Sequence, residues 1–302
     1  MTVLDVIGLG YAAVDYIGVV PHLPESDTKL PLESLVRQGG GPAATATVAA
    51  ARLGARTAFM GSIGDDDLGE FILRAFDGEG VDTSHIVAFE GAASQFAFIM
   101  VESGSGNRTI LWTRSDLPTL DPTKLDREFI QSCKVLQLDR HQLPACLQAA
   151  RWVREAGGIV ALDAGTYAPE AEELTPLVDV LIASYNYAVE ATGEVDPAQA
   201  ARALSRGRRI AGVTWGGTGS WFVTSDGDEF HQPAFEVEVV DTTGAGDVFH
   251  GAFAFGLSRE WDARRCARFA SAVAALKCTK LGGRAGIPSY EEAEALAHEQ
   301  GE

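Results

Sequence analysis

At residues 241–247 the chain reads Asp-Thr-Thr-Gly-Ala-Gly-Asp, and this segment connects two stretches of different periodicity. Residues 235–240 alternate and are rich in valine, which predicts a β-strand. Residues 248–256 place apolar side chains at helical spacing, which predicts an α-helix. The two glycines therefore lie where a strand turns into a helix, so that backbone N–H groups can converge on one small volume. Such a turn suits a phosphate or a developing oxyanion.

Asp247 follows the second glycine and falls in the first turn of the predicted helix. A carboxylate at this position is also an ordinary capping residue, so a helix cap without a ligand is the alternative. Phosphoryl transfer requires positioning, neutralisation of charge and one carboxylate within reach of the nucleophile. We favour phosphoryl transfer, because this segment is far more specific than a single Gly-x-Gly.

Composition narrows the class of protein. The 302 residues suffice for one large α/β domain, and 46% of them are hydrophobic. There are 24 Lys and Arg against 42 Asp and Glu, which gives a net charge of −18. This balance argues against binding to nucleic acid or to an anionic membrane as the main activity. An anionic substrate would need locally concentrated positive groups.

The cysteines and the hydropathy pattern predict a soluble, cytoplasmic protein. The sequence has no signal peptide and no run of about 20 apolar residues. Its four cysteines lack the spacing of a metal site, and we expect them to be reduced thiols. They are Cys133, Cys146, Cys266 and Cys278.

From about residue 124 strands and helices alternate regularly. This alternation predicts a mainly parallel central sheet with helices on both faces. Ligands bind at the carboxyl ends of the strands in such sheets, which makes Asp139, Arg140 and Asp163 candidate site residues. The predicted strands are 135–138, 159–162, 178–183 and 210–214, and the predicted helices are 144–156, 170–177 and 197–206.

The first 120 residues do not follow this rhythm. A strand at 3–8 leads into a glycine-containing turn and then Asp15, but no Gly-x-Gly-x-x-Gly enters a helix, which disfavours a dinucleotide site. Short strands within 16–36, with a hairpin of 95–101 and 108–112, predict a small sheet that stands off the main domain. We therefore predict a single domain, 1–302, with a lid sheet formed by about 11–38 and 94–115.

A second glycine-rich segment lies at residues 38–54. Gly39, Gly40 and Gly41 precede a proline suited to the first turn of a helix, and an alanine-rich stretch then ends at Gly54. Small residues let the backbone approach a ligand closely, and tight helix–sheet packing is the alternative. Residues 214–219, Thr-Trp-Gly-Gly-Thr-Gly, form a third glycine turn, for which a simple hairpin is the alternative.

Residues 241–249 resemble the C-terminal signature of ribokinase-like sugar kinases, the phosphofructokinase B family. Residues 38–54 and 59–69 resemble its N-terminal signature, and the resemblance covers nearly the whole chain. It implies a ribokinase-like α/β fold whose lid covers the sugar, with ATP and Mg²⁺ as cofactors. It also implies a monovalent-cation site, for an ion such as K⁺, near the end of the helix at 262–281. Because lid edges in this family often pair between subunits, a homodimer is expected.

The resemblance assigns roles to individual residues. Gly244, Ala245 and Gly246 match the anion hole, and Asp247 matches the base that takes the proton of the acceptor hydroxyl. Together with the strand ends, it predicts that the sugar contacts Asp15, Lys29, Gly40, Gly41, Asp139 and Arg140. The predicted nucleotide contacts are Thr214, Gly216, Gly219, Thr243 and Lys277.

Two positions depart from the family pattern. Ala44 stands where many members carry an asparagine that contacts the sugar, which weakens the case for ribose. The family's Asn-x-x-Glu near magnesium is out of register at Asn186 and Glu190, so no metal ligand is predicted.

Within the family the chain most resembles the sulfofructose kinases, in residues 39–46, 241–252 and 274–288. Those enzymes bind a sulfonate through a lysine, an asparagine and an arginine. Lys29 and Arg140 match the first and the last, whereas Trp112 replaces the asparagine. We therefore predict an ATP-dependent kinase acting on 6-deoxy-6-sulfofructose or a related anionic ketose. The alternatives are a neutral-sugar kinase of the fructokinase or ribokinase type, a nucleoside kinase, or a non-catalytic sugar- or nucleotide-binding regulator.

Overall fold

The computed structural model describes residues 3–113 and 115–299. These residues contain two β-sheets and nine α-helices, joined by loops and short 3-10 helices. The strands are β1 (Leu4–Leu9), β2 (Ala13–Val20), β3 (Ser34–Gly40), β4 (Thr57–Gly64), β5 (Asp82–Phe89), β6 (Phe96–Glu102), β7 (Arg108–Trp112), β8 (Cys133–Leu138), β9 (Ile159–Ala164), β10 (Val180–Ser184), β11 (Ile210–Thr214), β12 (Ser220–Thr224) and β13 (Glu229–Gln232). The helices are α1 (Pro42–Arg52), α2 (Asp67–Asp77), α3 (Arg127–Gln131), α4 (Leu143–Glu155), α5 (Tyr185–Thr192), α6 (Pro197–Leu204), α7 (Ala245–Ser258), α8 (Ala263–Lys277) and α9 (Tyr290–Glu299).

The large sheet has the strand order β13-β12-β11-β10-β9-β8-β1-β4-β5. Its strands pair in parallel from β5 through to β11, and β12 and β13 add an antiparallel edge. Successive residues of β1 enter different cores: Val6 packs in the layer that holds α1, α2, α7 and α8, and Ile7 packs in the layer that holds α4 and α6. This alternation confirms the predicted parallel sheet with helices on both faces.

The small sheet is the predicted lid. Its strand order is β3-β2-β6-β7, with β2 and β6 parallel and both outer pairs antiparallel. The hairpin of β6 and β7 is confirmed close to its predicted bounds. The strand predicted near Lys29 instead begins at Ser34 and runs through Gly39 and Gly40, so Lys29 lies in the loop before it.

One local prediction is wrong, one predicted helix has a different type, and one helix was missed. Residues 235–240 were predicted to be a strand but do not form one. The N–H groups of Val240 and Asp241 donate instead to the carbonyl oxygen of Cys278, at 2.8 and 3.2 Å, and not to a neighbouring strand. Residues Pro169–Leu177 are helical as predicted, but they form a 3-10 helix, which contains Pro176. Helix α5 was not predicted, although Ser184 caps its start and Gly193 ends it at φ 76°.

The predicted domain and lid extend over residues 1–2, 114 and 300–302, which lie outside the described residues. Among the helices of residues 3–113 and 115–299, none is both long enough and apolar enough to cross a membrane.

Candidate active site

Helix α7 begins with backbone donors that face open space. Gly244 takes a left-handed conformation, φ 72°, and Ala245 and Val248 donate their N–H groups to nearby carbonyls. The N–H groups of Gly246 and Asp247 have no acceptor among the described residues, and Gly246 is exposed. An uncapped helix N-terminus with free N–H groups is a ready anion-binding site.

Asp241 fixes the shape of this turn from behind. Its side chain is fully buried; Oδ1 accepts the N–H of Thr243 and Oδ2 accepts the N–H of Gly282, both at 2.8 Å. The turn is thereby joined to the loop after α8. A Cβ atom at Gly244 would lie 2.9 Å from Cα of Gly283, so the close approach of the two loops requires glycine here.

Lys277 and Thr243, both predicted to bind the nucleotide, are buried in this arrangement. Lys277 is 0% exposed, and its Nζ donates to the carbonyl oxygen of Asp241 at 2.8 Å. Burial lowers the pKa of Lys277. The structure therefore gives Lys277 a contact that supports the turn. The hydroxyl of Thr243 is buried and has no hydrogen-bond partner among the described residues, so a ligand oxygen would satisfy it.

Asp247 is only partly accessible, and acidic groups surround it. Burial raises the pKa of Asp247 to about 7, and the negative charges of Asp163, Asp15 and Asp139 act in the same direction. A positive charge on His250 opposes them. A carboxylate with a pKa near 7 is suited to general-base catalysis at neutral pH.

Asp15 lies in β2 beside the glycine run. A Cβ atom at Gly40 would lie 2.2 Å from Oδ1 of Asp15, so a glycine is needed for the carboxylate to occupy this place. Burial raises the pKa of Asp15 to about 6, and the positive charge of Arg284 partly offsets this effect. The structure thus places Gly40 against Asp15, and the charge of Asp15 acts on Asp247.

Arg284 belongs to this cluster, although sequence reasoning gave it no role. It is 6% exposed, and it donates from Nε to Oγ1 of Thr45 and from Nη2 to the carbonyl oxygen of Gly40, both at 3.2 Å. Burial lowers the pKa of Arg284 to about 10. The available signal was its place directly after Gly282 and Gly283, but nothing in the sequence indicated its distant partners.

Asp139 is bound by backbone donors from three segments. Its carboxylate accepts the N–H groups of Tyr11 at 2.8 Å, Ala43 at 3.1 Å and His141 at 3.0 Å. These bonds hold together the turn after β1, the start of α1 and the turn after β8. Gly41 starts α1 with φ 94°, and a Cβ atom there would lie 2.3 Å from the carbonyl oxygen of Tyr11.

The residues compared with the sulfonate-binding residues lie in three different segments, the loop before β3, the turn after β8 and strand β7. Lys29 is exposed, and it makes no hydrogen bond or ion pair within the described part of the chain. Arg140 is half-buried with φ 68°, and its charge acts on Tyr187. Trp112 is 55% exposed at the edge of the lid, on β7.

The third glycine turn follows β11. Thr214 ends that strand and donates its hydroxyl to the carbonyl oxygen of Ala183 at 3.3 Å. Gly216 and Gly219 have φ values of 49° and 101°, and a Cβ atom at Gly217 would have no heavy atom of the described residues within 4 Å. This turn therefore presents an open backbone surface at the carboxyl edge of the sheet, which suits a nucleotide.

The donors at this edge fit a polyphosphate. They comprise the free N–H groups of α7 and the unpartnered hydroxyl of Thr243. Among residues 3–113 and 115–299, no group of three or more His, Cys, Asp and Glu side chains could hold a metal ion. Mg²⁺ commonly takes most of its ligands from phosphates and water, so such a cage is not required.

Comparison with known proteins identifies relatives along nearly the whole length. The family model described as pfkB family carbohydrate kinase matches residues 3–290. A ribokinase of Haemophilus influenzae is 33% identical over 300 residues, covering 96% of this chain and 97% of that protein. An aminoimidazole riboside kinase of Salmonella typhimurium is 31% identical, covering 93% and 91%. The structure of an Arabidopsis thaliana ribokinase complexed with ribose and ATP superposes with a TM-score of 0.85 at 25% identity, covering 99% of both chains.

Proposed function

Because this chain belongs to the pfkB family of carbohydrate kinases and is an ATP-dependent kinase, we propose that Asp247 is its catalytic base. The observation that carries this proposal is that Asp247 lies in the first turn of α7, where its own N–H group and that of Gly246 have no acceptor among the described residues. A base and an anion site within one helical turn are what phosphoryl transfer needs. A simple binding protein gains nothing from a base of this kind.

The proposed step moves one phosphoryl group. A sugar hydroxyl oxygen bonds to the γ-phosphorus of ATP while the bond from that phosphorus to the ADP oxygen breaks. The electron pair of the broken bond leaves with ADP, and the hydroxyl proton passes to a carboxylate oxygen of Asp247. The N–H groups of Gly246 and Asp247 stabilise the charge on the transferred group, with Ala245 and Gly244 shaping the turn. Mg²⁺, bound to the phosphates, would supply further neutralisation.

Asp247→Asn tests the assignment. Asparagine keeps the size and capping ability of aspartate but cannot take the proton, so kcat should fall by about 10²–10⁴-fold with little change in ATP affinity. Asp67→Asn is the matched control, because Asp67 is an exposed aspartate in the first turn of α2. Near-normal turnover by Asp247→Asn would remove the proposed mechanism.

The acceptor that we propose is a monosaccharide held by Asp15 under the lid. The buried carboxylate of Asp15 can accept hydrogen bonds from hydroxyls, and the absence of a side chain at Gly40 leaves that carboxylate its place. The ribokinase and riboside kinase relatives support a sugar or sugar-containing acceptor. We place the nucleotide along the turn of Thr214, Gly216 and Gly219, with Thr243 at its phosphates.

The anionic ketose stays a second candidate, and Arg140 is the residue that would recognise it. A charge-assisted hydrogen bond contributes about 1.5–3 kcal/mol, so Arg140→Met should lower kcat/KM for 6-deoxy-6-sulfofructose by about 10-fold to 100-fold and leave fructose nearly unchanged. An ADP-release assay of both proteins over these sugars, ribose and nucleosides decides between the candidates. Equal losses on charged and neutral sugars would exclude charge recognition by Arg140.

Three further proposals concern assembly and surroundings. Leu111 and Trp112 of β7 and Leu35 of β3 are exposed apolar side chains on the lid, which supports a homodimer formed through that sheet. Light scattering of the purified protein tests this.

A K⁺ requirement is tested by replacing KCl with tetramethylammonium chloride in the assay. A cytoplasmic location is tested by fractionation of cells.

A further inference from the structure

A buried pair of an aspartate and a histidine lies near the proposed base. Asp163 comes from β9 and His250 from α7, and Nε2 of His250 lies 3.2 Å from Oδ1 of Asp163. The side chains are 8% and 6% exposed. Neither makes a further hydrogen bond with another residue of 3–113 or 115–299. The pair is therefore not fixed by backbone donors, in contrast to Asp139.

The pair is close to Asp247. His250 follows Asp247 by three residues on α7, a spacing that puts two Cβ atoms about 5–6 Å apart on one side of a helix. Strand β9 packs against the same helix. Electrostatic interactions between groups withdrawn from water act more strongly than at the surface. Both members of the pair therefore act on Asp247, with opposite sign when His250 is protonated.

Other charged groups also surround Asp247, but three of them have separate structural contacts. Asp139 accepts three backbone N–H groups, Lys277 donates to the carbonyl oxygen of Asp241, and Arg284 donates to Thr45 and Gly40. Asp15 is proposed to bind the acceptor. The charged groups that act on Asp247 are thus Asp15 on β2, Asp139 after β8, Asp163 on β9, His250 on α7, Lys277 on α8 and Arg284 after α8.

We propose that Asp163 and His250 are positioning residues for the phosphoryl transfer, because their opposed charges control the protonation of Asp247. The negative charge of Asp163 favours protonated Asp247, which cannot act as a base. The positive charge of protonated His250 favours the ionised form, which can. This inference rests on the proposed role of Asp247.

The test is the pH dependence of kcat/KM for the sugar at saturating Mg-ATP. His250→Gln keeps an N–H donor for Asp163 but cannot become charged, so the acid limb of the profile should move to higher pH by on the order of one unit. Asp163→Asn removes the negative charge, so the acid limb should move to lower pH by a similar amount. The titration of ATP itself is common to all the proteins and does not affect the difference between them.

His298→Gln is the matched control. His298 lies on the exposed surface of α9, 3.4 Å from Glu294, and the same substitution there should leave the pH profile unchanged. Lower kcat in both site variants with unmoved acid limbs would overturn the proposal and leave the pair a purely structural contact. If His250→Gln does not fold, Asp163→Asn decides alone: a shift to lower pH supports the proposal, and an unmoved or higher limb overturns it.

A second measurement does not depend on turnover. In protein labelled with ¹³C at the aspartate carboxyl groups, the signal that is missing from Asp247→Asn belongs to Asp247. Its titration midpoint should move in the same two directions in the two variants. An inactive Asp247→Asn with unmoved midpoints would remove only this inference, whereas an active Asp247→Asn would remove the proposed function itself.

Discussion

Nη2 of Arg284 lies 3.2 Å from the carbonyl oxygen of Gly40, so a side chain near the end of the chain contacts the backbone of the first glycine run. Arg284→Met should leave this carbonyl and the hydroxyl of Thr45 buried without their donor. We expect a loss of at least about 1–3 kcal/mol in the free energy of unfolding, measured by urea denaturation. Arg206→Met, at an exposed arginine in the loop after α6, is the control. Equal effects of the two changes would contradict the prediction.

The pH dependence of the free energy of unfolding should reveal the raised pKa of Asp15. Its pKa in the folded protein is about 6 against an ordinary value of 3.8, so the folded state keeps the proton to higher pH than the unfolded state. The stability due to Asp15 is present below pH 3.8 and is lost as the pH rises through 6. Asp15→Asn does not titrate and should therefore be more stable than the wild type above about pH 7, by up to about 3 kcal/mol.

Urea denaturation of wild type and Asp15→Asn at about pH 4 and about pH 8 measures this difference. The contributions of the other titrating groups are the same in both proteins and cancel. Asp77→Asn serves as the control, because Asp77 is an exposed carboxylate at the end of α2. The same stability difference at both pH values would show that Asp15 ionises normally in the folded protein.

Gly40→Ala should affect sugar binding more than stability. The new methyl group would lie 2.2 Å from Oδ1 of Asp15 and must displace that carboxylate. We expect KM for the sugar to rise by on the order of 10-fold, while KM for ATP stays near its original value. Gly78→Ala is the matched change, since its Cβ would meet nothing closer than 3.5 Å among the described residues. An unchanged sugar KM in Gly40→Ala would separate Asp15 from the acceptor site.

The four cysteines should react slowly with thiol reagents in the native state. All four are free and buried, and burial raises the pKa of Cys133 and of Cys266 to about 12. Because the thiolate is the reactive species, labelling with a disulfide reagent should require unfolding. Labelling in buffer and in denaturant, followed by mass spectrometry, checks this. Rapid modification of any one thiol in the native protein would contradict the prediction.

Much of the backbone around the candidate site could be predicted from sequence, because the helix starts and the lid hairpin are specified by residues that are adjacent in the chain. The glycines at 244 and 246 with a following apolar periodicity specify a helix start, and Pro42 after three glycines specifies another. Both helices begin where the pattern indicated, to within a residue or two. The lid hairpin was recognisable for the same reason, since its alternating strands and glycine-rich connection are adjacent in the chain.

The wrong strand and the site contacts that were not predicted involve partners that are distant in the chain. Residues 235–240 alternate like a strand, but a strand requires a neighbour, and Val240 bonds to Cys278 instead. Arg284 and Gly40 are 244 residues apart, and Asp139 and Ala43 are 96 apart. Neither pair has a sequence signal. The contacts of Lys29 and Arg140 with an anionic substrate stay a prediction, because two cations that share an anion need not contact each other.

The position of β1 between β4 and β8 has a consequence for the order of events during translation. Its second neighbour is synthesised more than 120 residues later, so the first strand must wait for the middle of the chain before both of its neighbours are present. The proposed base and the arginine that contacts Gly40 emerge later still, within the last quarter of the sequence. The core layer that holds α7 and α8 takes buried side chains from this late segment, among them Phe253 and Phe269, so a nascent chain completes that core and acquires the proposed base in the same late stage of folding.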